Sequence, residues 1–335
     1  MTIHRSSRQH RAVLSAPAVA LPEGERPEAG PIALLPRPKE AFADAVAAGG
    51  GVVEELSERT RGLIWLSSKH PEQLAEALRS HPGIGWVQLP WAGVDAFADV
   101  IAAEARPGLV WTSAKGAYAE PVAEHALTLA LALLRVIPTR VRARSWSTVA
   151  EGRSLYRLNV TIIGAGGIAL ELLRLLTPFD VTTTVVRRSA SPVDGADVTV
   201  QVDRLREALA DADVVIVAAA ATDATAQLIG ERELAAMRQD AVLVNIARGS
   251  LVDTAALVRA LDDGRIAGAG LDVTDPEPLP DGHPLWSEPA CIITPHSADT
   301  PDMTAPLLAE RIQLNVEALL GDGRFVGIVD PVAGY

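Results

Sequence analysis

The chain is short of cysteine, lysine, aromatic rings and long apolar runs, and each shortage removes a class of answer. A single cysteine, Cys291, excludes an internal disulfide and a cysteine-built zinc site. It reads as a small buried hydrophobe in a protein kept in a reducing compartment, the cytoplasm, and no metal site is expected. No stretch approaches the roughly 18 consecutive apolar residues of a membrane span. The best candidate, ALTLALALL at 126–134, reads instead as a core helix. Positive charge is outweighed, and a net charge of −12 argues against nucleic acid or an anionic membrane as the main partner. An anionic ligand would need local arginines to overcome that background. With aromatics at 4%, cores must be lined by small aliphatic side chains.

What is present is a regular alternation. At 335 residues about two domains are expected. The opening MTIHRSSRQHRA has three arginines and no acid, as in an organellar transit peptide, but lacks the apolar segment of a secretory signal. Residues 1–28 are therefore expected to be a poorly ordered tail. From residue 31, short β-rich runs (PIALLP, GLIWLSS, IGWVQLPWAGVD) alternate with helical stretches. A long helix is expected from Glu120 to about Arg144. The alternation then restarts with NVTIIG, VTTTVV, DVVIVAAA, AVLVNIA, GAGLDV and CIITPH, near-continuous apolar runs typical of strands buried on both faces. The expected fold class is α/β, with parallel sheets flanked by helices. A last helix, about 303–320, carries Leu307, Leu308, Ile312, Val316 and Leu319 on one face.

Gly164-Ala165-Gly166-Gly167-Ile168-Ala169 follows the strand NVTII and opens a helix. That is the context a dinucleotide fingerprint requires: a tight turn, a close backbone approach to pyrophosphate, and a small residue for helix–sheet packing. The next strand ends Val185-Val186-Arg187-Arg188-Ser189, with no acid until Asp194 to accept ribose hydroxyls. Two guanidinium groups and a hydroxyl suit a 2′-phosphate, each charge-assisted bond contributing about 1.5–3 kcal/mol. NADP is the preferred cofactor, with NAD the alternative. Ala220, Thr225 and Ile246, at later strand ends, are assigned to the same cofactor surface.

Three further polar residues sit at strand ends, where open α/β sheets bind ligands. Arg248 follows LVNIA, Glu277 follows GAGLDV through a Pro-bracketed loop, and His296 follows CIITP. An arginine grips a carboxylate with two parallel N–H bonds. A histidine donates a proton to a carbonyl oxygen, and a carboxylate beside it favours the charged imidazolium.

Together with WVQLPWAGVD (86–95), KGAYAEPVAEHALTLALALLR (115–135), LDVTDPEPLP (271–280), HPLW (283–286) and ITPH (293–296), these segments resemble the D-isomer-specific 2-hydroxyacid dehydrogenase family. The missing acid, Arg187-Arg188-Ser189 and HPLW look most like its glyoxylate/hydroxypyruvate reductase branch. The resemblance implies a discontinuous substrate domain, 1–112 plus 298–335, with a cofactor domain, 113–297, inserted into it. It implies Arg248 on the substrate carboxylate, His296 as acid/base and Glu277 tuning His296. Trp91-Ala92-Gly93-Val94 would be the substrate-carboxylate loop, and Asp272 would lie near the nicotinamide amide. Trp91 and Trp286 suggest the rim of a small pocket, the alternatives being that they pack a domain interface or select a flat aromatic keto acid. A homodimer would form largely through the cofactor domains, a joint that the long helix suits. The implied activity is reduction of a small 2-keto acid. The alternatives are an NAD-dependent phosphoglycerate- or lactate-type dehydrogenase and a dinucleotide-sensing, corepressor-like protein. Formate dehydrogenase is disfavoured, because it has glutamine where Glu277 stands. Arg157 departs from the pattern, which has glycine there, and Ala169 replaces a third glycine that the fingerprint also allows.

Overall fold

The structure is a computed structural model and describes residues 9–331 apart from 16 and 68. It divides into two compact units, Met1–Tyr118 with Pro301–Tyr335, and Ala119–Thr300. Both boundaries fall a few residues beyond those expected from the sequence.

In the first unit, β1 (Ile32–Leu35), β2 (Gly62–Trp65), β3 (Trp86–Gln88) and β4 (Val110–Thr112) pair in parallel in that order. Val53 bridges Ile32 on the opposite side of β1 from β2. The chain therefore moves first to one side of β1 and then to the other. With right-handed crossovers, helix Glu40–Ala48 must cover one face and helices Pro71–Ser80 and Ala98–Glu104 the other. The packing agrees: the first lies on the C-terminal helix Pro301–Leu320, and the other two lie on each other. Leu307, Leu308, Ile312, Val316 and Leu319 are all buried, as their spacing predicts.

Of the segment expected to be a loose tail, residues 1–8 and 16 lie outside the described residues. The remainder departs from that expectation, because backbone bonds dock it onto the unit. Val13 N–H donates to Gly116 O at 2.8 Å and Leu21 N–H to Gly323 O at 3.2 Å, while Glu28 pairs with Arg61.

The second unit holds a seven-stranded parallel sheet of order β11-β10-β9-β8-β5-β6-β7. The strands are β5 (Asn159–Ile163), β6 (Thr182–Arg187), β7 (Val198–Gln201), β8 (Val214–Val217), β9 (Val242–Asn245), β10 (Gly268–Leu271) and β11 (Cys291–Ile293). The direction of winding reverses between β5 and β8, the switch point where such sheets take dinucleotides. β8 and β9 are buried along their whole length, which is why they read as unbroken apolar runs.

Two strands escaped the sequence reading. β7 is a half-exposed edge strand with no apolar run, and β4 spans only three residues. The long helix is also two, Ala119–Leu134 and Ile137–Arg142, with Val136 in the left-handed region between them. Pro138 accounts for the break, since its ring would clash with the Leu134 carbonyl of a continuous helix. That carbonyl instead accepts from Arg153 N–H at 2.6 Å. Helix Ala119–Leu134 packs on β9 and β10, and closely, because a Cβ at Gly270 would already lie 3.0 Å from Leu129 Cβ.

Candidate functional site

All seven strands run in one direction, so their C-terminal loops share one edge of the sheet. At the end of β5, Gly164 has φ +117°, and a Cβ there would collide with the Ala218 carbonyl. Helix Gly167–Leu176 starts immediately afterwards, with Gly166 as its N-cap and no side chain capping it. A Cβ on Gly166 would meet nothing within 4 Å. Ala165, Gly167 and Ile168 are half-buried around that space, and Ala169, fully buried, lets the helix lie close on the sheet. The free N–H groups and positive end of this ten-residue helix face an open cradle of the kind a pyrophosphate needs.

At the end of β6, Arg187 is half-buried and its guanidinium has no ion-pair partner among the described residues. Arg188 is exposed, and its carbonyl accepts from Gln201 Nε2 at 3.2 Å. The Ser189 hydroxyl donates to Ser191 Oγ at 3.0 Å. After β8, Thr225 Oγ1 donates to Ala220 O at 2.8 Å and accepts from Thr222 N–H at 2.8 Å, which closes that loop. Ile246 is buried at the exit of β9, with its N–H on Val217 O.

The turn between β9 and Arg248 is shaped by Asn245, a fully buried residue that the sequence reading passed over. Its Oδ1 accepts from Ala247 N–H at 3.1 Å and its Nδ2 donates to Arg248 O at 2.9 Å. The half-buried Arg248 side chain curls over its own loop, with Nη1 donating to Ala247 O at 2.8 Å. Gly249 follows because nothing larger fits: a Cβ there would overlap the Thr274 carbonyl. The loop from Arg248 thus rests on the loop that carries Glu277. Thr254 Oγ1 holds that second loop at Asp275 O, 2.7 Å away.

Glu277 Oε1 lies 2.7 Å from His296 Nδ1. Their side chains are 43% and 52% exposed, so the pair contributes only about 0–1 kcal/mol to the fold. His296 sits at φ +49°, a left-handed conformation costing a non-glycine residue about 1–2 kcal/mol. Stability therefore does not explain the pair; an imidazole aimed and held does. The anchor is Asp272, 2% exposed. Its carbonyl accepts from His296 N–H at 2.7 Å. Oδ1 of its carboxylate accepts from Thr294 Oγ1 (2.7 Å) and Ser297 N–H (2.9 Å), and Oδ2 accepts from Ala298 N–H (3.1 Å). His125 adds Nε2 at 2.9 Å from Thr294 Oγ1. Asp299, half-buried beyond His296, has its carboxyl pushed up by burial, against the opposing pull of His296.

Burial pushes the Cys291 thiol up to about 12, and the side chain belongs to the core. Trp286 is half-exposed, its Nε1 donating to Pro280 O at 3.1 Å. Among the described residues no three His, Cys, Asp or Glu side chains gather to hold a metal ion. Nor is any helix there long and apolar enough to cross a membrane.

In the first unit, the loop 91–94 lies beyond the C-terminal end of β3. Trp91 is exposed and meets Tyr118 edge-on at 6.4 Å, whereas Val94 is a core residue. Ala92 and Gly93 N–H groups donate to no carbonyl among the described residues.

A doubly wound parallel sheet with this glycine turn, and with an arginine and a carboxylate-held histidine on its later strand ends, defines a nicotinamide-dinucleotide oxidoreductase. The chain belongs to the D-isomer specific 2-hydroxyacid dehydrogenase family, whose NAD binding domain matches residues 127–298. It is 40% identical over 300 residues, 87% of this chain and 95% of the other, to the "uncharacterized protein in proB 3′ region" of Corynebacterium melassecola. Human glyoxylate reductase/hydroxypyruvate reductase is 36% identical over 185 residues, 53% of this chain and 56% of that protein. The solved D-isomer specific 2-hydroxyacid dehydrogenase of Xanthobacter autotrophicus Py2, in complex with NADPH and MES, is 26% identical with a TM-score of 0.78. That likeness covers 91% of this chain and 99% of the other.

Sequence reasoning missed Asn245, His125, Thr294 and Asp299. Only His125 left a signal, as an imidazole at the head of the apolar run ALTLALALL.

Proposed function

We propose that the chain is an NADPH-dependent reductase of a small 2-keto acid, of glyoxylate or hydroxypyruvate type, yielding the D-2-hydroxy acid. The observation that carries this reading is the 2.7 Å His296–Glu277 pair, on a strand edge shared with Arg248 and the glycine turn. A bound nicotinamide dinucleotide supplies the hydride, and Gly164 to Ile168 hold its phosphates. Arg248 takes the substrate carboxylate through two parallel N–H bonds, and within the first unit the N–H groups of Ala92 and Gly93 match the family's carboxylate loop. His296, its Nδ1–H directed at Glu277, delivers a proton from Nε2 to the carbonyl oxygen. Trp286, on the second unit, would limit the size of the acid. NADPH would be preferred through Arg187, Arg188 and Ser189, and on the family's pattern Asp272 would lie near the nicotinamide amide.

A homodimer is proposed from the segment that follows helix Ala119–Leu134, where Ile137, Val141 and Trp146 are each exposed, Trp146 at 94%. A second copy covers it in a cytoplasmic homodimer. Light scattering of the protein and of Trp146→Ala checks this, a parent found as monomer overturning it.

The test of the activity is initial rates of NADPH and NADH oxidation with glyoxylate, hydroxypyruvate and bulkier keto acids. Arg248→Gln should lower kcat/KM about a hundredfold or more, and a parental rate would end the proposal. Arg187→Glu with Arg188→Ala should cost about tenfold or more of the NADPH preference. An unchanged cofactor ratio would remove the 2′-phosphate assignment.

A further inference from the structure

One imidazole outside the reacting pair is built into the loop that carries it. His125 lies on helix Ala119–Leu134, with its side chain 20% exposed and Nε2 2.9 Å from Thr294 Oγ1 and 3.5 Å from Asp272 Oδ1. Proton accounting fixes the direction of these bonds. A hydroxyl has one hydrogen, and that of Thr294 goes to Asp272 Oδ1. The Thr294 oxygen can then only accept from His125, so Nε2 carries the proton. His125 thus orients Thr294, Thr294 donates to the Asp272 carboxylate, and that carboxylate takes the N–H groups of Ser297 and Ala298. Those two residues directly follow His296, whose own N–H is bound to Asp272 O and whose backbone is held in the left-handed region. A loop in a disfavoured conformation keeps it only while its surroundings over-determine it. The chain of bonds from the helix is that surrounding.

We infer that His125 is a positioning residue for the reduction, fixing the His296 loop through Thr294 and Asp272. This rests on the role proposed above for His296 as the acid. The partners of His125 are Thr294 and Asp272, on the side of the His296 loop, so removing it should move kcat rather than the binding of the carboxylate. A misaimed acid lowers the rate although every reacting group is still present.

The experiment uses the full chain and NADPH, measuring kcat and KM for glyoxylate alongside the thermal midpoint. His125→Ala should lower kcat about 10- to 100-fold, with KM changed less than about threefold. His125→Gln, which restores an N–H donor at similar reach, should return kcat to within about fivefold of the parent. Thr294→Val should match His125→Ala, and the double variant should be no worse than the worse single. A parental kcat in folded His125→Ala overturns the inference. So does His125→Gln as impaired as His125→Ala at an unchanged midpoint, or multiplicative losses in the double variant. Should His125→Ala fail to fold, Thr294→Val decides, a parental kcat there being fatal. His296→Gln separates this from the underlying reading: its collapse beside an unaffected His125→Ala sinks the positioning role alone, whereas its parental rate removes the acid itself.

Discussion

Two glycines two residues apart should fail in different ways when each is given a methyl group. Gly166 has φ −84° and ψ −173°, which alanine adopts freely, and its added Cβ would meet nothing within 4 Å. The only cost to the unliganded fold of Gly166→Ala is a poorer N-cap, about 1 kcal/mol or less. With dinucleotide bound, however, the methyl occupies the space through which backbone N–H groups approach the pyrophosphate. Loss of one charge-assisted bond, about 1.5–3 kcal/mol, weakens NADPH about tenfold to a hundredfold. Gly164 is the opposite case, with φ +117° and the Ala218 carbonyl in the way. Gly164→Ala adds about 1–3 kcal/mol of backbone strain and a similar overpacking cost, so stability falls together with binding. Fluorescence titration with NADPH and thermal unfolding of the free proteins separate the two. Parental NADPH affinity in Gly166→Ala, or a midpoint lowered as far as in Gly164→Ala, would refute the reasoning.

Gly249→Ala should lower kcat/KM about a hundredfold by driving apart the loops of Arg248 and Glu277; steady-state kinetics at a parental rate would contradict that packing. Arg157 holds φ +61° in the turn before β5, where its ion pair with Asp180 is solvent-exposed. Arg157→Gly should therefore stabilise the chain by about 0.5–1 kcal/mol, read as a raised thermal midpoint. Cys291, pushed up to about 12 by burial from an ordinary value of 9.0, keeps its proton in the fold after the unfolded chain has lost it. Stability should then fall as pH rises between those values, by up to about 1.4 kcal/mol per unit, and Cys291→Ala should flatten that slope. In native protein the thiol should resist alkylation near pH 8 and react fully in denaturant.

The parallel strands of the second unit were legible because a strand buried on both faces has to be apolar throughout, as β8 and β9 are. β7 was not, since an edge strand half in water carries no such run. The break at Val136 was written in Pro138 but outweighed by the apolar periodicity on either side of it. Residues 13–28 read as a tail because their composition is that of one, while their order comes from bonds to Gly116, Arg61 and Gly323.

The sequence by itself determined the local chemistry: a glycine turn after a strand, and an arginine, a carboxylate and a histidine each placed at a strand end. Those depend on neighbours a few residues away and on periodicity, so they can be read along the chain. Tertiary structure alone decided which groups meet. Glu277 reaches His296 across 19 residues, and His125 reaches Thr294 across 169. Such meetings are set by the order in which strands pair and by how closely a helix lies on them. A hydrogen bond forms only where that packing brings donor and acceptor within about 3 Å.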